Sequence, residues 1–205
     1  MYIPPHFVNA DRGEALDFMK RFPFALLVSN GEDGPVSTHL PFIFHESEDR
    51  LVLTSHLALE NEQARLLHSG PLLVVFSAPH AYISPTLYDR KENVPTWNYV
   101  AVHCRGNARI LGGNEAKTDV LERMIAVFEP GYLDQWRTLS AKYKTGLLGE
   151  LVAFEIAVTK TEACSKLNQN KSDAEQARIA EALIISGDAA AVDLAAYMKA
   201  RREGK

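Results

Sequence analysis

The sequence predicts a mainly β fold with peripheral helices, of the α+β class, built around a closed antiparallel barrel. Three observations lead there. Six apolar or alternating runs of strand length are joined mostly by short, turn-forming segments. These runs do not alternate regularly with helices, as a doubly wound sheet would require. The phosphate-binding loops GxGxxG and GxxxxGK[ST] do not occur in the chain.

Each element has its own local reason. Asp11 to Arg21 carries Ala15, Leu16, Phe18 and Met19 at helical spacing. The apolar run Phe24 to Ser29 ends at Asn30-Gly31-Glu32-Asp33-Gly34, and a second run, Val36 to Phe44, follows; together they read as a hairpin. Pro41 inside that second run marks an edge or a bulge. Arg50 to Ser55 is a third strand, set off by the acidic, solvated turn Glu46-Ser47-Glu48-Asp49. A short helix, Glu60 to Leu67, separates it from Leu72 to Phe76, a continuous apolar run that suits a strand covered on both faces. Ala78 to Asn93 is a long connection containing Pro79, Tyr82, Pro85 and Tyr88; a ligand wall, a domain-swapped arm and a dimer contact all suit it. Tyr99 to Leu111 is the fifth strand, closed by Gly112-Gly113.

Near Asn114 the chain turns helical. Asn114 is expected to cap Glu115 to Phe128, whose Val120, Leu121, Met124, Ile125 and Phe128 share one face. Pro130-Gly131 ends it, and a second helix is expected over Leu133 to Lys144. Leu151 to Val158 is the sixth strand. Asp173 to Arg201 is helical, broken at Ser186-Gly187-Asp188 with Asp188 as the second N-cap. The expected organisation is one domain over 1–172 with inserted helices, and a C-terminal helical extension, 173–205, packed on it.

Composition narrows the function. The chain has 205 residues, a 46% hydrophobic fraction that can supply a full core, and a net charge of −4. Its one basic cluster is Lys199-Ala200-Arg201-Arg202, so direct DNA binding is not expected. Cys104 and Cys164 match no metal or redox spacing and read as free thiols of a reducing cytoplasm. No leader pattern or membrane-length apolar run occurs, so a cytoplasmic location is expected.

Four segments carry polar chemistry. Pro95 to Gly106, PTWNYVAVHCRG, sets Thr96, Trp97, Asn98 and Tyr99 at the mouth of a strand. Trp97 and Tyr99 offer rings to stack on and Asn98 an amide for a polar edge, which suits a flat heteroaromatic ligand; a strand start with a half-buried Trp is the plain alternative. Ser37, Thr38 and His39 precede Leu40-Pro41, where a bulge would aim them at a site, or His39 is a hydrogen-bonded core residue. Thr54, Ser55 and His56 are expected to end a strand just before a helix, with Asn61 following; they form a phosphate cradle or an ordinary N-cap. Lys166-Leu167-Asn168-Gln169-Asn170-Lys171 gathers amides and ammoniums on an expected loop, as a ligand contact or a solvated turn. His39, His56, His68, His80 and His103 form no metal-ligand spacing, so no metal is expected. GxSxG is absent, and no hydrolase signature is present.

Taken in order, MYIPPHF, THLPF, TSHLALEN, PHAYISPTLY, PTWNYVAVHCRG and KLNQN resemble the PaiB-type family of FMN-binding negative transcriptional regulators, linked to protease production and sporulation. The resemblance runs from Met1 to about Ala195. It implies an FMN-binding split β-barrel of the flavin-reductase and pyridoxamine-phosphate-oxidase type, with FMN at the interface of a homodimer. It implies Ser37, Thr38, Thr54, Ser55 and His56 for the phosphate and ribityl chain, with His39 and Asn61 also among the cofactor-binding residues. Trp97, Asn98 and Tyr99 would wall the ring, and Lys166, Gln169 and Asn170 would close the site. Two departures stand out: Asn168, where Ser is expected, and the lack of a helix-turn-helix signature. Three functions stay open at this point. The first is an FMN protein acting as a sensor or a flavin-dependent oxidoreductase. The second is a haem-binding or haem-degrading split barrel with His39, His56 or His103 as axial ligand. The third is a ligand-free regulatory module acting through protein contacts.

Overall fold

The computed structural model describes residues 1–47 and 50–203. In chain order it forms α1 (Arg12–Arg21), β1 (Phe24–Gly31), β2 (Gly34–Pro41), β3 (Ile43–Ser47), β4 (Arg50–Ala58) and α2 (Gln63–Leu66). Then come β5 (Leu72–Ile83), β6 (Thr96–Leu111), α3 (Asn114–Phe128), α4 (Leu133–Thr138), α5 (Ala141–Gly149), β7 (Leu151–Lys166), α6 (Asp173–Ile185) and α7 (Ala189–Glu203). The strands are hydrogen-bonded in the order β2-β1-β5-β6-β7-β4-β3.

The expected mainly β class with helices is what forms, but with seven strands rather than six. The run Val36 to Phe44 breaks at Phe42. The Phe42 N–H donates to the Pro23 carbonyl at 2.8 Å as the next pair of the β1–β2 register, and Pro23 has no N–H to return the bond, so that ladder ends there. Beyond it β3 pairs with β4, Ile43 opposite Thr54, whereas β2 pairs with β1 and ends the strand order, an edge position that tolerates proline. The β1–β2 hairpin closes as expected, with Gly31 opposite Gly34. Of the acidic turn, Glu48 and Asp49 lie outside the described residues.

Several boundaries move. β4 continues through Ala58, so Thr54, Ser55 and His56 sit inside a strand instead of at the mouth of a helix. β5 runs on to Ile83, which shortens the long connection to residues 84–95. β7 runs eight residues past Val158, making Lys166 its last residue. The helix expected over Leu133 to Lys144 is two, because Ser140 accepts the Tyr143 N–H at 3.3 Å and starts α5 afresh. Gly113, at φ 83°, precedes α3 where Asn114 was expected to cap it; Asn114 is already helical. The break at Ser186-Gly187-Asp188 forms as expected: Gly187 takes φ 68° and Asp188 accepts the Ala191 N–H at 2.8 Å.

The chain forms two compact units, and each long strand contributes to both: residues 1–22, 77–102 and 162–205 make the first, and 23–76 and 103–161 the second. In the first, Phe18, Met19, Ile83, Ile179 and Leu194 are fully buried. There Arg21 pairs with Asp193 at 2.6 Å and stacks over Phe22 and Tyr197, tying α7 to α1. In the second, Phe42, Phe76 and Phe154 pack edge-on, and Val120 and Met124 of α3 cover Ile43, Leu151 and Ala153. Burying each such side chain contributes about 1.5–3 kcal/mol. Gly106 permits β7 to pass: a Cβ there would lie 2.2 Å from the Ala157 carbonyl oxygen.

Candidate functional site

The strongest site signal lies in the first unit, where β6 begins. Successive side chains of a strand point to opposite faces. Thr96 and Asn98 therefore share one face, and Trp97 and Tyr99 the other. Thr96 and Asn98 line a cavity of about 230 Å³ together with Phe7, Lys166, Asn168 and Lys171. Sites that enclose a drug-sized molecule run to roughly 300–1,000 Å³, so this cavity has room for only one end of such a molecule.

Asn98 is 0% exposed, and neither its Oδ1 nor its Nδ2 has a hydrogen-bond partner. Each orphaned buried polar atom costs about 1–3 kcal/mol. Asn168 adds a third, its Oδ1; its Nδ2 donates to the Tyr88 hydroxyl at 3.1 Å. Its φ of 61° is a conformation that asparagine tolerates better than most residues. The Lys166 ammonium donates to Thr96 Oγ1, and the Lys171 ammonium donates to Asn93 Oδ1 at 2.8 Å while lying 3.9 Å from the Tyr88 ring centre. Among the described residues no carboxylate lines the cavity. The wall opposite β6 is held by α6: Glu175 accepts the Asp89 N–H at 3.0 Å, and Arg178 donates to the Leu87 carbonyl and to Asp89. Those N–H donors, Asp89 first and Ser172 next, hold the Glu175 carboxyl below its ordinary range, with Lys171 adding to the effect.

The pleat thus divides the expected aromatic–amide–aromatic wall. Trp97 is 54% exposed on the outer face, with the His80 and Tyr82 rings 5.8 and 6.0 Å away. Burial raises the Tyr99 hydroxyl above its ordinary range, and a hydrogen bond to the Cys164 thiol adds to this. Of the other expected residues here, Lys166 and Asn170 line the cavity. Gln169 folds back on its own turn, accepting the Leu167 N–H at 2.8 Å and donating to the Ser165 carbonyl.

The remaining expected residues belong to the second unit. Thr38 Oγ1 accepts from Asn61 Nδ2 at 3.1 Å, and Asn61 Oδ1 accepts the Gln63 N–H at 2.9 Å, so two separate sequence motifs meet. Ser37 and His39 are exposed on β2, His39 stacked on Phe24. Thr54 and Ser55 are buried and committed internally: Thr54 accepts from Arg123 at 3.0 Å, and Ser55 donates to the Pro41 carbonyl at 2.7 Å. His56 Nδ1 lies 3.3 Å from Met124 Sδ, and burial lowers its pKa. Sequence reasoning did not single out Phe7, Arg123 or the cavity-facing role of Thr96. Lys171 was visible only as part of the polar run, and Asn168 only there and as a departure from the family pattern; an asparagine in a turn after a strand is the signal for the left-handed residue that turns the chain back.

Comparison with known proteins gives a consistent result. The family model described as "Putative FMN-binding domain" matches residues 1–160, which include Asn98 and end before Lys166. Protease synthase and sporulation protein PAI 2 of Bacillus subtilis (strain 168) is 36% identical over 187 residues, 89% of this chain and 89% of that one. Among solved structures, the flavocytochrome Anf3 from Azotobacter vinelandii superposes with a TM-score of 0.65 at 13% identity, covering 86% of this chain and 78% of that one. The FAD and haem binding protein from Mycobacterium smegmatis gives 0.62 at 18% identity, covering 88% and 80%. Both share this chain's fold.

Proposed function

The chain belongs to the PaiB family, whose domain is described as a putative FMN-binding domain, and from this we propose that it is an FMN-binding split-barrel protein that works as a homodimer. The observation that carries the reading is Asn98. A buried amide with both donor and acceptor free matches a ring edge that presents an N–H beside a carbonyl, as the pyrimidine end of FMN does. FMN, when bound, supplies redox chemistry from that ring. The chain's residues bind and orient it. Asn98 pairs with the polar edge, Lys166 and Thr96 stand beside it, and Asn168 and Asn170 close that end. Ser37, Thr38, His39 and Asn61, taken within the second unit by itself, are the candidates that the family resemblance offers for phosphate binding; there Asn61 already donates to Thr38. Thr54, Ser55 and His56 act behind them by holding β4 to β2 and α3.

The homodimer reading draws on the outer face of the first unit, where Trp97, Tyr82 and Val94 are exposed together on or near the segment expected to form a contact. A cytoplasmic location is supported by two buried, unbridged cysteines. A regulatory role, suggested by the name of the Bacillus relative, would act through flavin chemistry or a protein partner. Its helix α7 offers DNA little: Leu194 and Ala195 are buried, Asp193 holds Arg21, and Arg201 pairs with Glu14 at 3.2 Å.

A fluorescence titration tests the assignment. Charge-assisted hydrogen bonds to a phosphate contribute about 1.5–3 kcal/mol each, so FMN should bind at least about tenfold more tightly than riboflavin. Equal affinities would remove the phosphate role from Thr38, Asn61 and their neighbours.

A further inference from the structure

The cavity beside Asn98 carries more than a neutral ring edge requires. Lys166 ends β7 with its ammonium on Thr96 Oγ1 and 5.8 Å from the Phe7 ring centre. Among the described residues no carboxylate pairs with it, and none lines the cavity. Lys171, on the same cavity, is different: Glu175 acts on it electrostatically and its charge rests on the Tyr88 ring. The donor and acceptor of Asn98 fit an uncharged N–H and carbonyl edge, whereas an uncompensated cation fits a negative charge. One ligand satisfies both if its charge appears only after reduction.

We propose that Lys166 sets the redox balance of the bound ring, holding reduced FMN more tightly than oxidised FMN. The inference rests on the FMN reading above. Reduction adds two electrons and one proton to the ring and leaves one negative charge at its pyrimidine end. The electrons come from a two-electron reductant, dithionite in the test below, which is itself oxidised. Asn98 then positions the edge in either state, and Lys166 discriminates between the two by charge alone.

The test is the midpoint potential of FMN bound to the full chain, titrated with dithionite against a reference dye. The wild-type potential should lie above that of free FMN. Lys166→Gln should lower the preference for the reduced form at least tenfold, a fall of about 30 mV for a two-electron couple. Lys166→Arg should retain most of the wild-type value, and Lys171→Gln should shift it less than Lys166→Gln does. A wild-type potential below that of free FMN, or an unchanged potential in Lys166→Gln, overturns the proposal while leaving FMN binding intact. If Lys166→Gln retains no FMN, the wild-type comparison decides. If the wild-type protein binds no FMN, the functional reading and this inference fall together.

Discussion

Replacing Asn98 with leucine should strengthen the protein and weaken its binding at once. The amide is fully buried, with two polar atoms that have no partner. Removing both relieves about 1–3 kcal/mol each. Leucine is bulkier, and overpacking typically costs about 1–3 kcal/mol, although here the side chain borders open space in the 230 Å³ cavity. The net expectation for the ligand-free protein is a gain of about 1–3 kcal/mol, each kcal/mol raising Tm by roughly 2–4 °C at this chain length. FMN should lose the pairing along its edge, about 1–3 kcal/mol or roughly five- to 150-fold in Kd. Thermal melts without FMN and a fluorescence titration of the same variant read the two effects separately. An Asn98→Leu protein that melts several degrees lower without FMN would refute the reasoning, because the amide would then be holding the fold together.

Other outcomes follow from particular contacts. Gly106→Ala should destabilise by at least about 1–3 kcal/mol in chemical denaturation, since its Cβ would meet the Ala157 carbonyl oxygen at 2.2 Å; wild-type stability would show that β6 and β7 do not approach this closely. Burial holds the pKa of His56 below its ordinary 6.5, so the unfolded chain takes up the proton first as pH falls. The stability this contributes is complete above pH 6.5 and is lost as pH drops from there through the folded value. His56→Leu should flatten that slope, and an undiminished slope would assign it to another group. Sedimentation at micromolar concentration should report a dimer, and a monomer would remove the proposed contact at Trp97 and Tyr82. Purified protein should not shift a promoter fragment at physiological salt; a sequence-specific shift lost on deleting residues 188–205 would restore α7 as a reading helix.

Much of the fold was legible because it rests on local chemistry. Gly31 and Gly34 announced the hairpin, Ser186-Gly187-Asp188 the last helix break, and the spacing of Val120 and Met124 the buried face of α3. What local reading could not supply was strand length. β5 and β7 continue past their apolar runs because pairing with neighbours in the sheet carries them through residues of low strand preference, such as Pro79, Lys160 and Glu162. The partner switch at Phe42 was hidden for a related reason: Pro41 signalled an irregularity, but only the pairing of Ile43 with Thr54 of β4 shows what kind. For the candidate site, Thr96 to Tyr99 stands out by residue type, yet its division between two faces follows from the pleat of β6. The polar run from Lys166 to Lys171 contributes Lys166, Asn168, Asn170 and Lys171 to the cavity lining. Which members face the cavity depends on Asn168 turning the chain back, a tertiary fact that spacing does not carry.

The most direct test of the account is the absorption spectrum of the purified protein after incubation with FMN and desalting, with mass identification of any chromophore released. Flavin bands, a released mass equal to that of FMN and one FMN per chain are the predicted result. A Soret band, or a colourless protein whose stability added FMN does not raise, would contradict it.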